Sequence, residues 1–167
     1  GSDADGEPVD IVCNAEGPLV AQVFKTVADP FIGKLSYIKV ISGTMTSGME
    51  AVNMTSGQNE KIGKLIYMRG KKQEEAAKVV AGDIAAVAKM NAATGDTLCA
   101  GASVILERAK YDAPCYSMAI MPKAKGDESK VAQGVLRLLE EDASLAFVNN
   151  AETHQQVITG LGEQHLD

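Results

Sequence analysis

Three ionisable residues close to the carboxyl end are the first candidates for chemistry. Glu163, His165 and Asp167 fall within one short stretch, and carboxylates beside an imidazole are the groups used in acid–base catalysis and metal binding. On a helix, however, Glu163 and Asp167 share a face while His165 points elsewhere. The only other histidine, His154, falls in a predicted turn. Because the helix dipole accounts for a carboxylate in a first turn, the pattern indicates neither a catalytic residue nor a metal site.

A phosphate-binding loop is the second candidate, and it requires the pattern GxxxxGK[ST]. The nearest string is GQNEKIGKL, in which Gly57 is one residue too far from Gly63. Leu65 also stands where a Ser or Thr hydroxyl must hold magnesium. We therefore predict no nucleotide site and no cofactor in this chain.

Positive charge is concentrated in one part of a chain whose net charge is -6. The residues are Lys61, Lys64, Arg69, Lys71 and Lys72. A solvated strand edge, whose charges discourage aggregation, is the interpretation that the residues alone favour. A contact strip for a phosphate backbone is the alternative, because such a contact needs cations and no reading of bases.

Negative charge is concentrated at Glu140, Glu141 and Asp142, at the end of a predicted helix where the dipole prefers cations. Solvated surface is the plain interpretation, and a docking site for a basic protein is the alternative. This pattern supports a second hypothesis, a stand-alone protein-interaction module.

Composition narrows the class of protein. The 167 residues are 46% hydrophobic and 23% charged, as in a globular chain with a buried core. A low aromatic content, no Trp and a pI near 5.0 argue against a dedicated nucleic-acid binder. Three widely spaced cysteines indicate a reducing, cytosolic setting without a disulfide framework. No apolar run is long enough for a membrane span.

The elements that would position these residues fall into two domains. Residues 1–18 have the composition of a linker and begin with Gly1-Ser2, which is typical of a cloning scar. Residues 19–107 contain short Val- and Ile-rich runs between Gly-rich turns and predict a β-barrel. In the first strand, Leu19, Ala21, Val23 and Val27 are expected on one face and Gln22 and Thr26 on the other. Residues 73–93 have helical propensity, but AGD interrupts them and TGDTL follows as a turn.

Residues 108–167 predict a second, α+β domain. The order is a strand at CYSMAIMPK, a helix capped by Asp127, two strands and the start of a helix at Glu163. The apolar period places Val131, Val135, Leu138 and Leu139 on one face of the helix. The order matches a ferredoxin-like, split β-α-β unit without its last helix and strand. Such a truncated domain is expected to expose apolar surface and to self-associate or be locally disordered near residues 150–167.

Three separated motifs resemble the elongation factor G family of translational GTPases. DPFIGKLSYIKVISGTMTSG (residues 29–48) resembles the signature of the family's second domain, and AGDIAAVAKMNAATGDTL (81–98) resembles its continuation. VITGLGEQHLD (157–167) resembles the third-domain stretch Gly-Met-Gly-Glu-Leu-His-Leu-Glu. The resemblance implies a domain II barrel, then a domain III that is cut before its end.

The resemblance also implies a function and partners. The family moves transfer RNA and messenger RNA on the ribosome, with GTP and magnesium bound by a domain that precedes this region. Domain II rests on small-subunit ribosomal RNA, and the matching RNA contacts here are Lys34, Lys61 and Lys64. Domain III faces ribosomal protein S12 and relays the nucleotide state, and Gly162, Glu163 and His165 match its switch-facing segment. Gln164 and Asp167 depart from the family's Leu and Glu, which leaves open a ribosome-protection or recycling paralogue.

Overall fold

The computed structural model describes residues 1–167 apart from Ala4, Pro30, Lys71, Lys125 and His154. The sequence-based predictions for Lys71 and His154 therefore lie outside the described residues. The chain forms two compact units, Gly1–Ala109 and Lys110–Asp167. Their elements confirm the predicted fold class, because a barrel-type β unit precedes a small α+β unit. No helix in the described part of the chain is long and apolar enough to cross a membrane.

The strands of the first unit pair antiparallel throughout its described part. They are β1 (Leu19–Asp29), β2 (Gly33–Ser42), β3 (Thr44–Thr46), β4 (Glu50–Asn53), β5 (Gln58–Lys61), β6 (Leu65–Arg69), β7 (Lys72–Ala76), β8 (Lys78–Val80), β9 (Ile84–Ala88) and β10 (Thr97–Ala100). Eight of them form one sheet in the order β5-β4-β10-β1-β2-β9-β6-β7, while β3 and β8 form a two-stranded ribbon.

Two buried apolar clusters stabilise the described part of this unit, and one of them is much the larger. Ile38 and Val40 of β2 and Leu98 of β10 are fully buried and belong to a single cluster. Met45 and Val79 of the ribbon belong to the same cluster, so the ribbon packs over the core enclosed by the sheet. Burying a side chain of this size stabilises a fold by about 1.5–3 kcal/mol.

The first strand departs from simple alternation. The predicted inward positions are confirmed as far as Val23, but Val27 is only half-buried while Thr26 is 2% exposed. The register between β1 and β2 shifts between Val23 and Lys25. A bulge of this kind reverses which residues face the core. The buried Thr26 hydroxyl shares a hydrogen bond of 3.0 Å with the Thr94 hydroxyl, so its burial leaves no unpaired polar atom.

The Ala-rich stretch of residues 73–93 is extended, and its helical propensity does not decide its structure. It contributes to β7, β8 and β9. Gly82 has a φ of 97°, and the Asp83 N–H donates to the Val80 carbonyl at 3.0 Å, so a tight turn separates the last two strands. Because Ala85, Ala86 and Val87 are all buried, tertiary packing overrides propensity here.

Residues 1–18, predicted as a linker, belong to the first unit by their contacts. The Ser2 N–H donates to the Ile105 carbonyl at 2.9 Å, and the Ile105 N–H donates back to the Ser2 carbonyl at 2.8 Å. Farther along, the Gly43 N–H donates to the Asn14 carbonyl at 2.8 Å. The segment is thereby bonded to the barrel at two places.

The second unit contains three strands and two helices in its described part. They are β11 (Tyr116–Ile120), α1 (Glu128–Glu141), β12 (Ala146–Asn149), β13 (Gln156–Gly160) and α2 (Glu163–Leu166). The strands form an antiparallel sheet in the order β11-β13-β12. The predicted order of elements, including a helix that begins at Glu163, is confirmed.

Helix α1 buries less than its pattern predicts. Val135 is buried, Val131 and Leu139 are half-buried, and Leu138 is 48% exposed. The predicted apolar face is therefore only partly covered, because one short sheet does not cover a full apolar stripe. Asp127 is the N-cap residue as predicted, but its carboxylate makes no capping bond and instead accepts from Lys130 Nζ at 2.7 Å.

Candidate functional site

A basic groove on the barrel gathers part of the predicted site. Lys61 ends β5, Lys64 precedes β6, and Lys89 follows β9, and all three line an open cavity of about 550 Å³. We call this surface the lysine groove. Its backbone is tightly packed, since a Cβ on Gly63 would lie 2.9 Å from the Ala88 carbonyl oxygen. Two chain segments therefore approach closely enough to bring lysines from different strands to one surface.

Lys89 was not found from the sequence, and its backbone is unusual. Its φ is 58°, the only positive φ of a non-glycine residue in the described chain. The left-handed conformation costs an L-residue about 1–2 kcal/mol. The available signal was a turn after β9 that contains no glycine before Gly95. Strained residues cluster at functional sites, so the side chain of Lys89 is a candidate for a functional contact.

Lys34 lies beside the groove rather than in its lining. It pairs with Ala28 at the start of β2, and its carbonyl accepts from the Lys89 N–H at 2.9 Å. The preceding turn is fixed by Asp29, whose carboxylate accepts from the Phe31 N–H at 2.8 Å and from the following amide. The structure thus brings Lys61 and Lys64 together and joins Lys34 to them through the backbone of Lys89.

Acidic residues of β7 form ion pairs with some of the basic side chains of the predicted strip, and leave others without such a pair in the described chain. Lys64 Nζ lies 2.7 Å from Glu75 Oε2. Arg69 and Lys72 both pair with Glu74, at 3.6 Å and 3.3 Å. These side chains are largely exposed, and such pairs contribute little to stability. Among the described residues neither Lys61 nor Lys89 forms an ion pair, so the groove carries the positive charge that β7 does not balance.

A polar network joins the two helices of the second unit. Asp142, the C-cap residue of α1, lies with Oδ2 2.9 Å from His165 Nε2 in α2. Its Oδ1 accepts from the Ser144 N–H at 2.8 Å and from the Ser144 hydroxyl at 2.5 Å. On the other side of the ring, His165 Nδ1 accepts from the Leu161 N–H at 3.0 Å. A neutral His165 therefore carries its proton on Nε2 and donates it to Asp142.

This network gives the acidic end of α1 a structural role. The Ser144 hydroxyl bond, opposed by partial burial and aided by the bond from His165, lowers the pKa of Asp142 below its ordinary value. No residue in the last turn of α1 is basic, so His165 of α2 supplies the complementary group near that helix end. Asp142 is thus engaged within its own unit.

The segment with Gly162, Glu163 and His165 forms one local structure. Gly162 is the N-cap of α2, Glu163 opens its first turn, and His165 reaches back to Asp142. Gly160 is tightly enclosed, since a Cβ there would lie 2.7 Å from Leu166 Cδ2 and 2.8 Å from His165 Nδ1. Within the described chain, no group of three His, Cys, Asp or Glu side chains is arranged to hold a metal ion.

Comparisons with known proteins match both units. The family model described as Elongation factor G domain 2 matches residues 18–101, and the model described as Elongation Factor G, domain III matches residues 112–167. A crystal structure of a protein from Thermus thermophilus is similar over 90% of this chain, at 30% sequence identity and a TM-score of 0.80. The match covers 23% of that protein's chain. This chain therefore belongs to the elongation factor G family, of whose proteins it carries domains II and III.

Proposed function

We propose that this chain provides the ribosome-docking and relay parts of an elongation factor G-like translocase in the cytoplasm. In this proposal a separate domain binds GTP and magnesium, and hydrolysis drives the movement of transfer RNA and messenger RNA. The two domains described here contribute no catalytic residue. Their part is to hold the factor on the small subunit and to pass on the nucleotide state.

The observation that carries the docking proposal is the lysine groove. Phosphate contacts need accessible cations and no base-specific donors, and Lys61 and Lys89 are exposed and form no ion pair in the described chain. The contact with small-subunit ribosomal RNA is assigned to Lys61 and Lys64, with Lys34 alongside. We add Lys89 to this set, because its strained backbone keeps a fourth lysine at the same surface.

The relay proposal rests on the network at the start of α2. Gly162, Glu163 and His165 form the surface assigned to the GTP-binding domain of the longer protein, and ribosomal protein S12 is the assigned ribosomal neighbour of this unit. His165 links α2 to the end of α1 through Asp142. A displacement of α2 is therefore transmitted to α1 as long as this bond persists.

Binding to isolated small ribosomal subunits tests the docking proposal. Charge reversal in the double variant Lys61→Glu, Lys64→Glu is expected to weaken binding at least tenfold and to reduce its dependence on salt concentration, because fewer counterions are released. The matched control is the double variant Lys25→Glu, Lys78→Glu, the same charge change at exposed positions of β1 and β8 outside the groove. Equal loss in both variants, or none in the groove variant, would refute the assignment.

Two substitutions at Lys89 separate its charge from its backbone strain. Lys89→Ala removes the charge and keeps the strained conformation, while Lys89→Gly removes both. Both are expected to weaken subunit binding, and only the glycine variant is expected to gain up to about 1 kcal/mol in free energy of unfolding. Unchanged binding in both variants would exclude Lys89 from the contact.

GTP titration addresses the assignment of catalysis to a separate domain. We expect no saturable binding by this chain, and saturable binding would contradict the proposal.

The alternative of an interaction module that uses the acidic end of α1 is less favoured, because Asp142 is engaged with Ser144 and His165. The second unit is also proposed to self-associate through the apolar surface that its sheet exposes.

A further inference from the structure

One lysine of the lysine groove has a carboxylate partner that the sheet places beside it. Leu65 of β6 lies opposite Ala76 of β7, and both are buried in the core of the barrel. Lys64 and Glu75 directly precede these two residues, so they lie diagonally across the two strands and outside the core. The distance of 2.7 Å between Lys64 Nζ and Glu75 Oε2 shows that the two side chains meet.

The same lysine also lines the groove. The side chains of Lys64 and Glu75 are 60% and 62% exposed, so burial fixes neither of them. Lys64 nevertheless belongs to the groove lining together with Lys61 and Lys89. A charge-assisted bond from an ammonium to a carboxylate oxygen is of the same kind as one to a phosphate oxygen. Because a carboxylate and a phosphate repel each other at short range, a phosphate that binds Lys64 displaces Glu75 from it.

We propose that Glu75 competes with a backbone phosphate of RNA for Lys64, and so lowers the affinity of the lysine groove. This inference rests on the proposed docking function and adds an internal competitor to that contact. In the free chain Lys64 pairs with Glu75, and in the complex it pairs with the phosphate while Glu75 turns to solvent. Lys61 and Lys89 form no ion pair among the described residues, so they meet the phosphates without such an exchange.

The preceding residue of β7 provides a matched control. Glu74 pairs with Arg69 and Lys72, at 3.6 Å and 3.3 Å, and the described lining of the groove includes none of these three residues. Successive residues of a strand face opposite sides of the sheet, so Glu74 and Glu75 lie on different faces of β7. Replacing Glu74 by glutamine changes the net charge as much as the same replacement at Glu75 does, and it does not release Lys64.

Binding to isolated small ribosomal subunits at low salt concentration tests the competition. Glu75→Gln keeps the size of the side chain and removes its charge. It is expected to tighten binding about two- to fivefold, which corresponds to the free energies of exposed ion pairs. Because salt screens such a pair, the gain is expected to shrink as the salt concentration rises. Glu74→Gln is expected to have a smaller effect on affinity at every salt concentration.

A double-mutant cycle with Lys64→Met separates competition from general repulsion of RNA. Lys64→Met alone is expected to weaken binding, and adding Glu75→Gln to it is expected to bring no gain, because no ammonium is left to release. An equal gain with and without Lys64 overturns the proposal. If Lys64→Met weakens binding and Glu75→Gln alone brings no gain, the competition is refuted and the docking function stands. If Lys64→Met leaves binding unchanged, the contact assigned to Lys64 is itself refuted.

Discussion

The two units bury their apolar side chains to very different degrees. In the barrel, side chains from both the eight-stranded sheet and the β3–β8 ribbon form one fully enclosed cluster. Among the described residues of the second unit, Val135 and Ile158 are the only large apolar residues that are buried, while Leu136 and Leu138 of α1 are about half exposed. The barrel is thus stabilised mainly by its core. The second unit depends more on local packing and on the bonds of Asp142 and His165.

The largest expected effect is a loss of stability on substitution in the barrel core, and it tests this comparison directly. Ile38→Ala removes a fully buried side chain from the barrel, and we expect a loss of about 2–5 kcal/mol in free energy of unfolding, since the cavity is closed on all sides. Leu136→Ala, the control in the second unit, removes a side chain that is 57% exposed and should change stability by less than about 0.5 kcal/mol. Denaturant unfolding followed by circular dichroism measures both, and similar losses would contradict the comparison.

Gly160→Ala probes the one tightly enclosed glycine in the described part of the second unit. A Cβ there would meet Leu166, His165 and Leu145 within 3.3 Å, so we expect overpacking to cost about 1–3 kcal/mol. Gly134→Ala in α1 is the matched control in the same unit. Its Cβ would meet nothing within 4 Å, and alanine in a helix interior should stabilise by about 0.5–1 kcal/mol.

Hydrogen exchange of amides in β13 and α1 distinguishes these two glycine variants. Faster exchange in Gly160→Ala and slower exchange in Gly134→Ala, with the amides of the barrel unchanged, is the expected result. If both variants behave alike, the enclosure around Gly160 does not limit stability, and the second unit is loosely packed throughout.

Much of the fold could be predicted from the sequence because its signals are local. Period-two apolar runs identified β1 and β2, and a capped apolar period identified α1. The bulge after Val23 could not be predicted, because it depends on the register with β2. The exposure of Leu138 on the apolar face of α1 could not be predicted, since a sequence pattern does not show how wide the opposing sheet is.

The candidate site was less predictable because its parts are distant in sequence. Lys61 and Lys64 belong to one basic stretch, but Lys89 joins them only because β9 pairs with β6. His165 was recognised as an ionisable residue without a catalytic partner, and its partner Asp142 lies 23 residues earlier. Neither pairing follows from local periodicity, so both required the three-dimensional structure.

The smallest expected effect is a pH dependence confined to the second unit. Because the Ser144 hydroxyl lowers the pKa of Asp142, with His165 contributing and burial opposing, the carboxylate is favoured in the folded state. Its stabilisation is fully present above the ordinary aspartate pKa of about 3.9 and is lost as pH falls through the lower folded-state value. The effect is small because the Asp142 side chain is 41% exposed and therefore screened by solvent.

Amide exchange of Ser144, measured relative to an amide in β2 at each pH, reports this loss. The Ser144 N–H donates to Asp142 Oδ1 at 2.8 Å, and protonation of the Asp142 carboxylate weakens this bond. The ratio should therefore rise on the acid side of the aspartate range in the natural chain, and Asp142→Asn should show no such rise there. A rise of equal size in the asparagine variant would assign the acid sensitivity to another group. The bonds of Asp142 would then not explain how the second unit differs from a barrel that is stabilised by its core.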